Sequence, residues 1–250
     1  VQLRVHPRLR DFLEVALGYG LVLAVIWTPM PTQRLLYWLA VICIVGLTVL
    51  QRDTWRSLGL APTGAWRATW IVVGAFALAA VAVVIAKLLG TFHPLPRSGN
   101  FPLNFRMGGY LVWSFLQEFM LQIYVLTRLL RLLPRRSVAI ATAALLFAVA
   151  HIPNPVLVVL TLVWGLIACS LFLRYRNLYA LGLAHAILGL CVATTVPDAL
   201  HHHMRVGLGY LRYHPRHHRI QRSNAPQTVS TQAWVMEDAA TLLSDRHARP

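Results

Sequence analysis

Glu118 is the one carboxylate between Asp53 and Asp198, and it stands inside an apolar run. An acid near the middle of an apolar helix costs about 3 kcal/mol on insertion scales. It therefore faces a bundle interior or a wet cavity and is a functional candidate by default. Gln117, Glu118 and Gln122 are the polar members of this run, with Glu118 and Gln122 at i,i+4 on one helical face. One reading is a hydrogen-bonded cluster that fixes helix packing. The other is a buried carboxylate that takes a proton from water.

Two histidines have comparable settings. His151 follows Phe147 at i,i+4, so the phenyl ring can pack on the imidazole. His185 lies between Gly182 and Gly189, whose missing side chains permit close helix approach. Each has a plain structural reading, as a helix cap or a satisfied packing histidine. Together with Glu118 they could activate water for hydrolysis.

Other chemistries find little support. There is no His-Glu-x-x-His zinc motif, no Gly-x-Ser-x-Gly nucleophile motif and no pair of intramembrane aspartates. The reading needs no cofactor and no metal. A metallopeptidase ligated by Glu118, His151 and His185 stays open as a third reading. A proton-coupled transporter is weakest, since no inverted repeat shows in the hydropathy.

These groups must be held by membrane helices. The 250 residues are 57% hydrophobic and only 12% charged, against about 25% charged in soluble domains. The expected fold is all-α, a polytopic transmembrane bundle of about seven or eight helices. Proline and glycine punctuation places them near Phe12–Trp27, Leu35–Leu50, Ala68–Leu89, Tyr110–Leu130, Ser137–Ile152, Val156–Leu173 and Leu178–Val196. Polar stretches intervene, including a turn at Ala61–Gly64 and a loop at Thr91–Gly109 that could lie over a cavity mouth.

The net charge of +15 comes from arginines at the ends of apolar runs, which point to lipid and not to nucleic acid. With a cytoplasmic N-terminus, most of them, Arg128 and Arg131 included, fall on the inner side of a plasma-type (inner) membrane. Cys43, Cys169 and Cys191 lie in apolar runs without metal-ligand spacing and read as buried thiols.

Residues 1–200 form the bundle. Residues 201–220 are a basic segment holding His201, His202, His203, His214, His217 and His218, either lipid-facing or able to bind a divalent metal. An eighth, weak or re-entrant segment near Asp198–Leu211 is one way to return the chain. Residues 221–250 are polar and expected to lack a stable fold, with a short helix possible at Thr231–Leu243.

The pattern resembles the CPBP family, the CAAX-protease and bacteriocin-processing group of intramembrane glutamic endopeptidases related to the Rce1 prenyl-protein proteases. The similarity runs from about Trp55 to Gly189, within a core of about 55–196. It is carried by Trp55–Leu60, Gln117-Glu118-x-x-x-Gln122, Phe147-x-x-x-His151 and the stretch from Asn177 to His185.

The resemblance implies a membrane peptidase without metal or cofactor, whose substrate is a protein or peptide with or without a lipid anchor. It implies Glu118 as base, His151 as the group positioning water and His185 as the oxyanion binder. Gln117, Gln122, Phe147 and Asn154 are expected in support. The family's first motif is Glu-Glu-x-x-x-Arg and its third is His-x-x-x-Asn. Here Gln117 replaces the leading glutamate, Gln122 the arginine and Gly189 the asparagine. Tyr124 or Asn154 is expected to replace the lost donor. The alternative is a catalytically inactive relative that binds a peptide or lipidated partner in the same cavity.

Overall fold

The computed structural model describes residues 6–51, 54–61, 65–94 and 105–213. Among them every regular element is helical. The expected turn residues Pro62–Gly64, the histidines 214, 217 and 218, and the polar tail with its short helix lie outside the described residues.

Helix α1 (Pro7–Trp27) starts with proline at its first position, where no hydrogen bond is lost. It ends before Pro29 and is followed by α2 (Thr32–Leu50) and α3 (Thr69–Leu88). A continuous rod follows: α4 (Phe105–Glu118), a π-helical segment (Phe119–Leu126) and α5 (Thr127–Leu132). The expected loop is thus shorter than its sequence span, because residues 105–109 already belong to α4.

Helix α6 (Arg136–Val149) stops short of His151, which lies in the turn ahead of Pro153. Helix α7 (Pro155–Tyr175) is capped by Asn154, whose Oδ1 accepts from Leu157 N at 3.1 Å. Helix α8 (Leu178–Thr195) is capped likewise by Asn177, which accepts from Ala180 N at 2.9 Å.

Four helical stretches are long and apolar enough to cross a membrane: Thr32–Leu50, Trp66–Leu88, Pro155–Tyr175 and Leu178–Thr195. Helix pairs meet through small residues, as expected where lipid removes the hydrophobic drive between helices. Ala139, Ala143, Ala144, Ala168 and Ala184 are fully buried. A Cβ on Gly165 of α7 would lie 3.0 Å from Ala144 Cα of α6. Large apolar side chains such as Leu35, Ile42, Phe76 and Val159 point outward, which suits lipid. Helix α8 packs on both α3 and α4, α6 packs on α7, and α1 packs on α2 and α5. The π segment touches α2, α6 and α7, and Leu121–Leu126 are all buried, so this rod is the bundle's axis.

The chain after α8 does not cross back within the described residues. Helices α9 (Asp198–His201) and α10 (Gly207–Leu211) have four and five residues, far short of the ~20 that a crossing needs. They fold over the α6–α7 turn instead. The Asn154 amide donates to His201 O at 2.8 Å and Arg205 O at 3.0 Å, and Gly207 N donates to Ile152 O at 2.9 Å.

Arg128 departs from its expected place as a surface charge, and Arg131, which stays exposed, is ion-paired. Arg128 is fully buried, with Nε and Nη2 each 2.7 Å from Glu14 Oε2. Arg131 forks onto both Asp11 oxygens at 2.8 and 2.9 Å. These pairs tie α1 to α5, and Tyr124 joins them through its hydroxyl on Glu14 O and its ring under the Arg128 guanidinium.

Candidate functional site

Glu118 is the last residue of α4 before the backbone widens into the π segment. Such segments recur at functional sites. Its side chain is 0% exposed, and every polar contact it makes is with a donor. Oε1 accepts from the Trp164 indole Nε1 at 2.7 Å and from His185 Nδ1 at 2.9 Å. Oε2 accepts from Gln122 Nε2 at 3.0 Å. An ionised carboxylate is acceptor-only, and three donors, each bond charge-assisted, suit that form in a dry interior.

The pair fixes the histidine tautomer. With Nδ1 donating to Glu118, a neutral His185 ring carries its lone pair on Nε2. Nε2 has no hydrogen-bond partner among the described residues. His185 can reach Glu118 because α8 lies close to α4. A Cβ on Gly182 would stand 2.7 Å from the Phe115 ring, and one on Gly189 would stand 1.7 Å from the Tyr110 hydroxyl.

His151 is placed differently. Its Nδ1 donates to Phe147 O at 2.7 Å, so the ring caps the end of α6 and its Nε2 keeps a lone pair. No hydrogen bond joins it to Glu118 or His185 among the described residues. The link is Phe147, whose ring stands edge-on to both imidazoles, at 4.9 Å from His151 and 6.0 Å from His185. Phe147 also borders a small cavity with Tyr19, Val22, Leu121 and Leu146, and that cavity is apolar. Among the described residues the Glu118 carboxylate is closed off, with zero exposure, whereas His185 keeps 8% and His151 is half-buried.

The supporting residues divide. Gln122 is completely buried and bonds Glu118, with its Oε1 left unpartnered. Gln117, one residue earlier and about 100° around the helix, is half-buried and outside the cluster. Neither candidate for the lost donor is available: Tyr124 is bound to Glu14 and Asn154 to His201 and Arg205. The space that the expected asparagine would need is filled by the Tyr110 hydroxyl against Gly189.

Sequence reasoning missed Trp164. Membrane tryptophans gather at the lipid–water interface, whereas Trp164 lies well inside α7. A buried indole N–H needs an acceptor, and that displacement was the available signal.

The His-rich segment is used structurally where it is described. His201 Nε2 donates to Val196 O at 2.9 Å and its Nδ1 accepts from Met204 N at 3.2 Å. His202 stacks on Tyr210 and Tyr213, and His203 Nδ1 lies 3.0 Å from Asp198 Oδ1. Among the described residues no three His, Cys, Asp or Glu side chains are grouped to hold a metal ion.

Residues 99–191 match the family profile described as type II CAAX prenyl endopeptidase Rce1-like. The match spans Glu118, His151, Trp164 and His185. No curated protein and no solved structure matches the chain.

Proposed function

The helices within residues 99–191 belong to the Rce1-like family of type II CAAX prenyl endopeptidases, the CPBP group, and from that premise we propose that this integral membrane protein is an intramembrane endopeptidase. The observation that carries this reading is the buried Glu118–His185 pair at 2.9 Å. An imidazole that a carboxylate orients, with its far nitrogen left free, can act as a general base.

In the proposed reaction a water molecule gives one proton to His185 Nε2. Its oxygen bonds to the peptide carbonyl carbon, and the carbonyl π electrons move onto oxygen. When that adduct collapses, the C–N bond breaks and the imidazolium returns the proton to the leaving amine. The products are a carboxylic acid and an amine. Glu118 stabilises the imidazolium and holds the ring. His151 Nε2, on the Phe147 ring shared with His185, is the second group offered to the water. Glu118 is thereby the orienting partner of the base, because its oxygens already hold three donors. The substrate is a membrane-associated protein or peptide, and the N-terminus lies on the cytoplasmic side of a plasma-type (inner) membrane.

The test is cleavage of a prenylated peptide with a CAAX-type terminus by the purified protein in proteoliposomes. Glu118→Gln should reduce turnover by about 10²-fold or more while the protein still folds. Unchanged turnover would remove the assignment.

A second reading has its own support. Gln117, Gln122 and Gly189 depart from the family motifs, and Glu118 has no exposed surface. A non-catalytic relative would bind the same peptide without cleaving it. It would retain the peptide equally in the wild type and in Glu118→Gln.

A further inference from the structure

We infer that Trp164 is a positioning residue that sets the division of labour between Glu118 and His185. This rests on the peptidase reading above, but the contacts do not. A carboxylate oxygen offers about two lone-pair sites. On Glu118 Oε1 one is taken by His185 Nδ1 at 2.9 Å and the other by Trp164 Nε1 at 2.7 Å. The same indole ring stands 5.9 Å from the His185 ring at 61°. Trp164 thus touches both members of the pair, one through a hydrogen bond and one through its ring.

The consequence is geometric. With both sites on Oε1 filled, that oxygen is held away from a water, and the indole standing beside the imidazole favours the one ring orientation that keeps Nδ1 on Glu118. The remaining proton acceptor of the pair is His185 Nε2. Trp164 itself neither gains nor loses a proton. Helix α7 can present it because Gly165 lets α7 seat closely on α6.

Trp164→Phe keeps most of the ring and removes only the donor and its pyrrole edge. On the prenylated-peptide assay, kcat should fall about 10- to 100-fold, as for a misplaced reacting group, with KM within twofold. A second readout does not need turnover. In protein labelled with nitrogen-15 at histidine, the wild type should show, beside the Nδ1–H signal of His151, a neutral imidazole protonated only at Nδ1 that is lost in His185→Asn. In Trp164→Phe that signal should give way to a mixture of the two tautomers.

A Trp164→Phe protein with wild-type kcat, or with the Nδ1–H signal intact, would overturn the inference. The peptidase reading fails separately. If the wild type does not cleave the peptide, or Glu118→Gln cleaves it normally, that reading is lost, while the tautomer signals still decide the role of Trp164.

Discussion

Glu118 Oε1 and His185 Nδ1 stand 2.9 Å apart although 67 residues separate them in the chain. The contact joins α4 to α8 at a place where both side chains are buried. Two glycines make the approach possible, and an indole and an amide complete the carboxylate's hydrogen bonds. Most of what can be tested follows from how tightly this place is filled.

Gly189 is the tightest point. An added Cβ would overlap the Tyr110 hydroxyl at 1.7 Å, with ring carbons at 2.7 and 3.0 Å. Gly189→Asn should therefore destabilise the bundle by about 1–3 kcal/mol, the usual range for overpacking, and should not restore a family-like donor. Adding Tyr110→Ala should return the thermal midpoint in detergent most of the way to the wild-type value. An unaltered midpoint in the single variant would show that α4 and α8 can part freely.

The clamp between α1 and α5 should behave as a buried ion pair. Arg128 has Glu14 Oε2 at 2.7 Å and Tyr124 O at 2.9 Å, and Glu14 is only 12% exposed. Arg128→Met removes the buried cation and leaves Glu14 only Gln51 Nε2 at 2.7 Å and the exposed Arg10 at 3.5 Å, so it should cost up to about 3–5 kcal/mol. The double variant Arg128→Met with Glu14→Leu should recover most of that loss, because apolar replacement of a whole buried pair is often neutral or stabilising. Equilibrium unfolding in mixed micelles measures both.

Much of the fold is legible in the sequence, for stated reasons. Proline ends α1 and starts α7, asparagines cap α7 and α8, and apolar runs of membrane length fill the spans. Glu118 and His185 stand out because a polar group in an apolar helix must find a partner. Arg128 and Arg131 were hidden by their position at a helix end, where basic residues ordinarily face lipid headgroups. Their spacing of three matches that of Asp11 and Glu14, and that match was the overlooked sign. The widening after Glu118 has no sequence signature, and side-chain reach past it cannot be counted from an α-helical wheel. Gly189 reads as a missing asparagine, but only the packing shows Tyr110 in its space.

The cap over the α6–α7 turn should open in acid. Burial lowers the pKa of His201 below its ordinary value. The Asp198 carboxylate partly opposes this, and His203 and His93 add to the lowering. A folded-state pKa below the unfolded one means that protonation favours the open form. The cap's stability is therefore full above about pH 6.5, the unfolded histidine value, and is lost as pH falls toward the lowered folded value. Hydrogen exchange of residues 198–213 should be slow at pH 7.5 and speed up beyond the intrinsic rate change below pH 6. His201→Gln, which still donates and accepts but does not titrate, should flatten that response. Equal acceleration in both proteins would assign the opening to another group.

The central claim is that Glu118 and His185 act as one unit, and a double-mutant cycle on cleavage of the prenylated peptide in proteoliposomes tests it most directly. Residues that act together are grossly non-additive. Glu118→Gln and His185→Asn should each lower kcat by about 10²-fold or more, and the double variant should be no slower than the slower single one. Losses that multiply, or a wild-type rate in either single variant, would contradict the account.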